Sequence, residues 1–182
     1  VSRTQLQEKR KLTSVDARSY ARVVDALTKA LEDYATDQRG DVGSWVRAAS
    51  LRALARVLVA AASSPSPLQL VAQDAFSAAV GGMAKQAVEK LDVVRGAATS
   101  AWGDLLAANA DKVWSWPGAR CMLDGTEMRP SSEWFSAGLE LLRTPARAAM
   151  LAGLVQTAGS AVHSSVSLAL QSQESYQEFA SS

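Results

Sequence analysis

Cysteine and histidine are almost missing from this sequence: Cys121 and His163 are the only ones among 182 residues. One thiol excludes an internal disulfide framework and fits a reducing compartment. One histidine leaves no His-based catalytic dyad and no His-rich metal site, and no Ser-centred nucleophile elbow or metalloprotease spacing occurs. The expectation is a protein without an active site, metal or cofactor of its own. Long apolar runs are lacking too. The densest, VLVAAA at 57–62, is far too short to span a bilayer. Nor does charge of one sign dominate, since 19 basic and 18 acidic side chains nearly cancel. That balance argues against a nucleic-acid footprint or a polybasic membrane surface. No apolar core of a signal peptide is visible, so a cytoplasmic location is expected.

What is present is apolar and small. Apolar residues make up 48% of the chain, alanine alone supplies 34 residues, and aromatics are only 6%. Abundant alanine without strand-like alternation favours closely packed helices over sheets. Residues 1–13 are polar and charged and are expected to be partly disordered, whereas 14–182 read as one helical region. The absence of an initiator Met suggests a piece of a longer chain.

Breakers divide that region. Residues 14–34 read as a helix with Val23, Val24, Leu27 and Leu31 at helical spacing and Ser14 or Asp16 as cap. The polar turn TDQRGDVG leads into a second helix at about 44–62, which SSPSP at 63–67 ends because proline cannot continue the ladder. A long helical stretch at 68–91 is weakened by Gly81 and Gly82, and another helix runs to about 108. Residues 109–131 carry two prolines and two glycines without periodicity and read as a long loop. Helices at about 132–142, 145–158 and 161–180 complete an all-α chain.

One arginine looks misplaced. On the helix beginning near Trp45, a 100° wheel puts Arg52 and Arg56 on one side and Leu51, Leu54 and Leu58 on the other. Arg47 falls on the leucine side, where a cation is costly unless paired. The pattern recurs. VRAASLRAL at 46–54, VRGAATSAW at 94–102 and ARAAMLAGL at 146–154 place Arg47, Arg95 and Arg147 alike, 48 and 52 residues apart. Each is expected to lie in an apolar stripe and to need a carboxylate from the turn before its helix. Asp41 and Glu89 stand six residues ahead of Arg47 and Arg95, and Glu140 stands seven ahead of Arg147. An Asp-x(5)-Arg unit entering the inner helix of a pair is the HEAT-repeat signature. The expected architecture is therefore a HEAT/armadillo-type α-solenoid of antiparallel helix pairs. Gly40 and Gly43 would allow the tight turn that aims Asp41 at the helix start.

DYATDQRGDVGSWVR, Asp33 to Arg47, resembles the most characteristic stretch of the tubulin-folding cofactor D family. KQAVEKLDVVRGAA, Lys85 to Ala98, is similar to the family's Lys-Gln-x-x-Glu-Lys-Ile-Asp-x-x-Arg segment. RTPARAAMLAGLVQTAGSAVHSSVSLAL, Arg143 to Leu170, resembles a third; the departures are at Ala35 in the first stretch and Ala146 in the third. The resemblance touches most of residues 30–170. It implies a C-terminal HEAT region of a cytoplasmic, cytoskeleton-associated chaperone scaffold. Such a scaffold would take up β-tubulin and, with cofactors E and C and an Arf-like small GTPase, assemble or dismantle the αβ-tubulin heterodimer. Stimulation of GTP hydrolysis by tubulin would belong to the complex, not to this chain. The repeat alone leaves another reading open: a HEAT scaffold of a different cytosolic system, such as transport or phosphatase assembly.

Three further residues bear on partners. Arg39-Gly40-Asp41 spells the integrin tripeptide, a reading that a cytosolic, cysteine-poor chain disfavours. Arg39 in an exposed turn could serve a partner GTPase as an arginine finger, although the resemblance assigns that role to cofactor C and a solvated or inter-repeat arginine is favoured. Trp45, Trp102 and Trp134 sit in expected helices as inter-helix wedges. Trp114 and Trp116, two apart in the long loop beside Pro117, either pin that loop to the core or dock a partner such as tubulin.

Overall fold

A computed structural model of the chain describes residues 16–121 and 139–159. The polar start, Trp134, His163, the 122–131 part of the loop and the expected helix at 161–180 lie outside the described residues. Seven helical segments follow one another: α1 Ala17–Ala30, α2 Gly43–Ala62, α3 Pro67–Leu70, α4 Gln73–Ala87, α5 Asp92–Ala107, α6 Ala110–Val113 and α7 Arg147–Gly159. A 3-10 turn at Glu140–Arg143 precedes α7. Among the described residues, extended structure is confined to a minimal hairpin, β1 Thr36–Asp37 and β2 Gly40–Asp41. The fold is all-α. No helix among the described residues is long and apolar enough to cross a membrane.

The helices form two layers. α1, α4 and α7 pack successively on one another, and α2 packs along α5. The layers are joined where α1 meets α2 and α4 meets α5. Asp16 starts α1 by accepting the Ser19 N–H at 2.7 Å, the capping expected of an aspartate before a helix. On α2 the buried side chains include the leucine stripe and Arg47, while Arg52 and Arg56 face solvent.

The stretch expected as one helix at 68–91 is two. Val71 is extended (φ −133°, ψ 111°) and fully buried, and its carbonyl accepts the Trp114 indole N–H at 2.9 Å. Across the same break the Gln73 amide and the Ser115 backbone exchange two hydrogen bonds, at 2.8 and 2.9 Å. Tertiary hydrogen bonds thus take the backbone out of the helical ladder. The glycines expected to weaken this stretch do not interrupt α4. Gly82 marks a close approach instead, since a Cβ there would sit 2.8 Å from Leu31, whereas one on Gly81 would make ordinary contact with Ala149 of α7 at 3.7 Å.

Candidate functional site

The string from Asp33 to Arg47 builds a compact unit. Thr36 pairs with Asp41 and Asp37 with Gly40, leaving Gln38 and Arg39 as the loop. Gly40 adopts φ +104°, which other residues rarely do. Gly43 is required for a different reason: a Cβ there would lie 2.3 Å from the Asp33 carbonyl oxygen. That proximity lets the Gly43 N–H reach Ala35 O at 2.9 Å and brings the end of α1 against the start of α2.

Asp41 then serves two donors. Its Oδ1 accepts the Ser44 N–H at 2.9 Å, occupying a free amide of the first turn of α2, and its carboxylate accepts both terminal nitrogens of Arg47, at 2.8 and 3.2 Å. Arg47 is 0% exposed and also donates to Asp33 O at 2.6 Å. Its guanidinium lies over the Tyr34 ring, 4.2 Å from the centroid. Burial raises the Asp41 pKa, but the Arg47 hydrogen bonds and charge, with the Ser44 amide and Lys90, outweigh it and hold the carboxyl below its ordinary value.

The second string, from Lys85 onward, supplies the other half of this cluster. Lys85 pairs with Glu32 at 2.5 Å, and buried Gln86 donates to Leu31 O at 2.9 Å and to the Tyr34 hydroxyl at 3.0 Å. Glu89 points its carboxylate at Arg47, 3.7 Å away, rather than at Arg95. Arg95, buried like Arg47, takes the Glu89 carbonyl at 2.5 Å and the Asp92 carboxylate. Burial pushes the Arg95 pKa down, against the opposing charges of Asp92 and Glu89. The two strings, read separately in the sequence, are one charge cluster joining two helix pairs.

Arg147 is not a third member. It is the first residue of α7, is exposed, and sits in the layer of α1 and α4 rather than beside α5. Glu140, the carboxylate expected for it, pairs with Arg143 at 2.8 Å. At the first position of a helix no preceding turn covers the side chain. The similar wording at 146–154 therefore reflects the apolar face of α7, with Met150 and Leu154 buried, and not the arginine geometry.

Among the described tryptophans, Trp45 departs from expectation. Trp114 and Trp116 are 1% and 8% exposed and pack into the core, which favours the loop-pinning reading of the two that the sequence left open. Trp114 stacks on Phe76 at 4.6 Å, and Trp116 meets Phe76 edge-on at 5.5 Å and Trp102 at 4.6 Å. Trp102 is a wedge as expected, with its N–H on Ala119 O at 2.6 Å. Trp45 is not: it is 61% exposed. Arg39 lies over its ring at 5.2 Å while its guanidinium grips Asp37 at 2.6 and 3.0 Å. The surface residue that sequence reasoning missed is thus Trp45, and its signal was present: it stands two positions before an inward-facing arginine, on the opposite side of the wheel.

The carboxylates of Asp41 and Glu89 are turned to Arg47, and no group of three or more His, Cys, Asp or Glu side chains able to hold a metal occurs among the described residues. The cluster's chemistry is that of a brace, with an exposed aromatic–guanidinium pair on its outer side. Residues 77–181 match the family model described as tubulin folding cofactor D C terminal. The chain is also 32% identical over 78 residues to tubulin-folding cofactor D of Schizosaccharomyces pombe, an alignment that covers 43% of this chain and 7% of that protein. No solved structure matches. Since the matched stretch takes in more than half of the residues and holds the second half of the charge cluster, the chain belongs to the tubulin folding cofactor D C-terminal family.

Proposed function

We propose that this chain is a non-catalytic HEAT-type scaffold segment of a cytoplasmic, cytoskeleton-associated tubulin-folding cofactor. It holds β-tubulin or the αβ-tubulin heterodimer alongside cofactors E and C and an Arf-like small GTPase. The observation that carries the reading is the division within the Asp33–Arg47 string. Its charged residues Asp41 and Arg47 face inward on the brace, while Arg39 and Trp45 face solvent beside each other. A large aromatic held in place by a stacked guanidinium is the kind of anchor that protein interfaces use. The contact surface on this reading is the hairpin and the first turn of α2, not the 109–121 loop.

The test is capture from cell extract on the immobilised chain, with tubulin and companion cofactors identified by mass spectrometry. Tubulin should be retained, and Trp45→Ala should reduce its retention at unchanged melting temperature. Retention of a different assembly without tubulin would favour a scaffold of another system. Retention insensitive to Trp45→Ala would move the contact elsewhere.

A further inference from the structure

Between α2 and α4 the chain runs Ser63-Ser64-Pro65-Ser66-Pro67, two Ser-Pro dipeptides in succession. From Ser63 to Leu70 no residue is buried, although the flanking Ala61 and Val71 are. None of the four side chains of the α3 turn is fully buried, only Leu70 packs against the core, and Leu68 is among the most exposed apolar residues of the described structure. The two serines differ sharply. The Ser64 hydroxyl is sealed from solvent. Ser66 is exposed, its side chain makes no capping bond to α3, and its backbone (φ −140°, ψ 66°) is already out of the helical region, as the following proline demands.

We propose that Ser66 is a phosphorylation site for a proline-directed serine/threonine kinase, and that Ser64 is not. The transfer forms a bond between Ser66 Oγ and the γ-phosphorus of ATP and breaks the bond from that phosphorus to the bridging oxygen. ADP leaves with magnesium, and the hydroxyl proton passes to the kinase's catalytic carboxylate. Such a kinase needs its substrate extended across several residues, and this stretch supplies that cheaply. Opening Pro65–Gln69 moves no buried residue and leaves Ser64 sealed and Leu70 packed against the core, so it belongs to the low-energy end of local unfolding. Pro67 presents a peptide bond without an N–H directly after the hydroxyl, the feature by which proline-directed kinases select serine. The phosphate would add about −1.5 to −2 charges to a run, Val57 to Gln73, that carries no charged side chain. The modification would therefore mark this edge without disturbing either the charge brace or the core.

The experiment treats the folded chain with Mg-ATP and a cyclin-dependent kinase and maps phosphate by mass spectrometry. The expected result is phosphate on Ser66 and none on Ser64; Thr144, the other hydroxyl followed by a proline, donates to Leu141 O at 2.7 Å and is scored separately. The Ser66 phosphate should be lost in Ser66→Ala and Pro67→Ala and kept in Ser64→Ala, with the same melting temperature before and after. Incorporation at Ser64 in place of Ser66, or no incorporation while a peptide of residues 60–72 is phosphorylated, overturns the proposal. So does failure of both chain and peptide.

Discussion

Glu89 Oε2 lies 3.7 Å from Arg47 Nη2, although the two residues belong to different helix pairs. Arg47 already has a bidentate partner in Asp41 from its own turn. The second carboxylate therefore does not rescue an orphan cation; it connects one pair to the next at the point where α2 and α5 run side by side. Buried charges of this kind contribute little net stability when intact and cost heavily when broken on one side.

Removing one member should reveal that asymmetry. Asp41→Ala or Arg47→Ala should cost about 3–5 kcal/mol, because each leaves an uncompensated charge. Arg52→Ala and Arg56→Ala, on the solvent side of the same helix, should cost about 0.5 kcal/mol or less. Urea denaturation of the four variants checks this, and equal losses would overturn the assignment of faces.

Acid should unfold the protein partly through Asp41. Its pKa is held below the unfolded value, so its contribution is present above the ordinary carboxylate pKa and is lost as pH falls through the folded one. The loss should begin as pH approaches the ordinary carboxylate range from above and continue below it. Urea midpoints measured across that range should fall less steeply for Asp41→Asn than for the parent chain, from a lower starting point at neutral pH. Parallel profiles would remove Asp41 from the acid transition.

Two glycine-to-alanine changes should have opposite signs. Gly43→Ala places a Cβ against the Asp33 backbone, so the turn must shift. The cost should be about 1–3 kcal/mol, the range for local backbone strain. An added Cβ at Gly103, inside α5, meets nothing within 4 Å, and Gly103→Ala should stabilise by about 0.5–1 kcal/mol. Thermal unfolding of the pair tests both.

The tryptophans should separate into stability and recognition. Trp114→Ala should cost about 3–5 kcal/mol, as large aromatic truncations in a core do. Trp45→Ala should leave the melting temperature nearly unchanged. If Trp45→Ala proved as damaging as Trp114→Ala, the hairpin surface would be structural and not available to a partner.

Helical content, the capping by Asp16, the Asp41–Arg47 pair and the exposure of Arg52 and Arg56 were all legible in the sequence, because each is set within one or two helical turns. What was not legible depends on contacts far along the chain. The break at Val71 answers to Trp114, 43 residues later. Glu89 looked like the partner of Arg95 because they are close in sequence, yet its carboxylate crosses to Arg47. Arg147 fitted the wording of the repeat, but wording does not specify which layer a helix joins. Trp45, expected as an inter-helix wedge, lies on the surface, since a helix label does not say which side faces the core, whereas Trp114 took the core-anchoring one of its two expected roles.

The clasp between Gln73 and Ser115 orders events during synthesis. The Asp41–Arg47 contact spans six residues and can form while α2 is being made. The start of α4 has no side-chain cap of its own and relies on Ser115 and Trp114, more than forty residues downstream. Closing so long a loop is entropically costly and slow compared with local contacts. On the ribosome, then, the first helix pair can be complete while the second still lacks its clasp. Until Trp114 has emerged, Phe76 lacks the indole that stacks on it and is open to a chaperone.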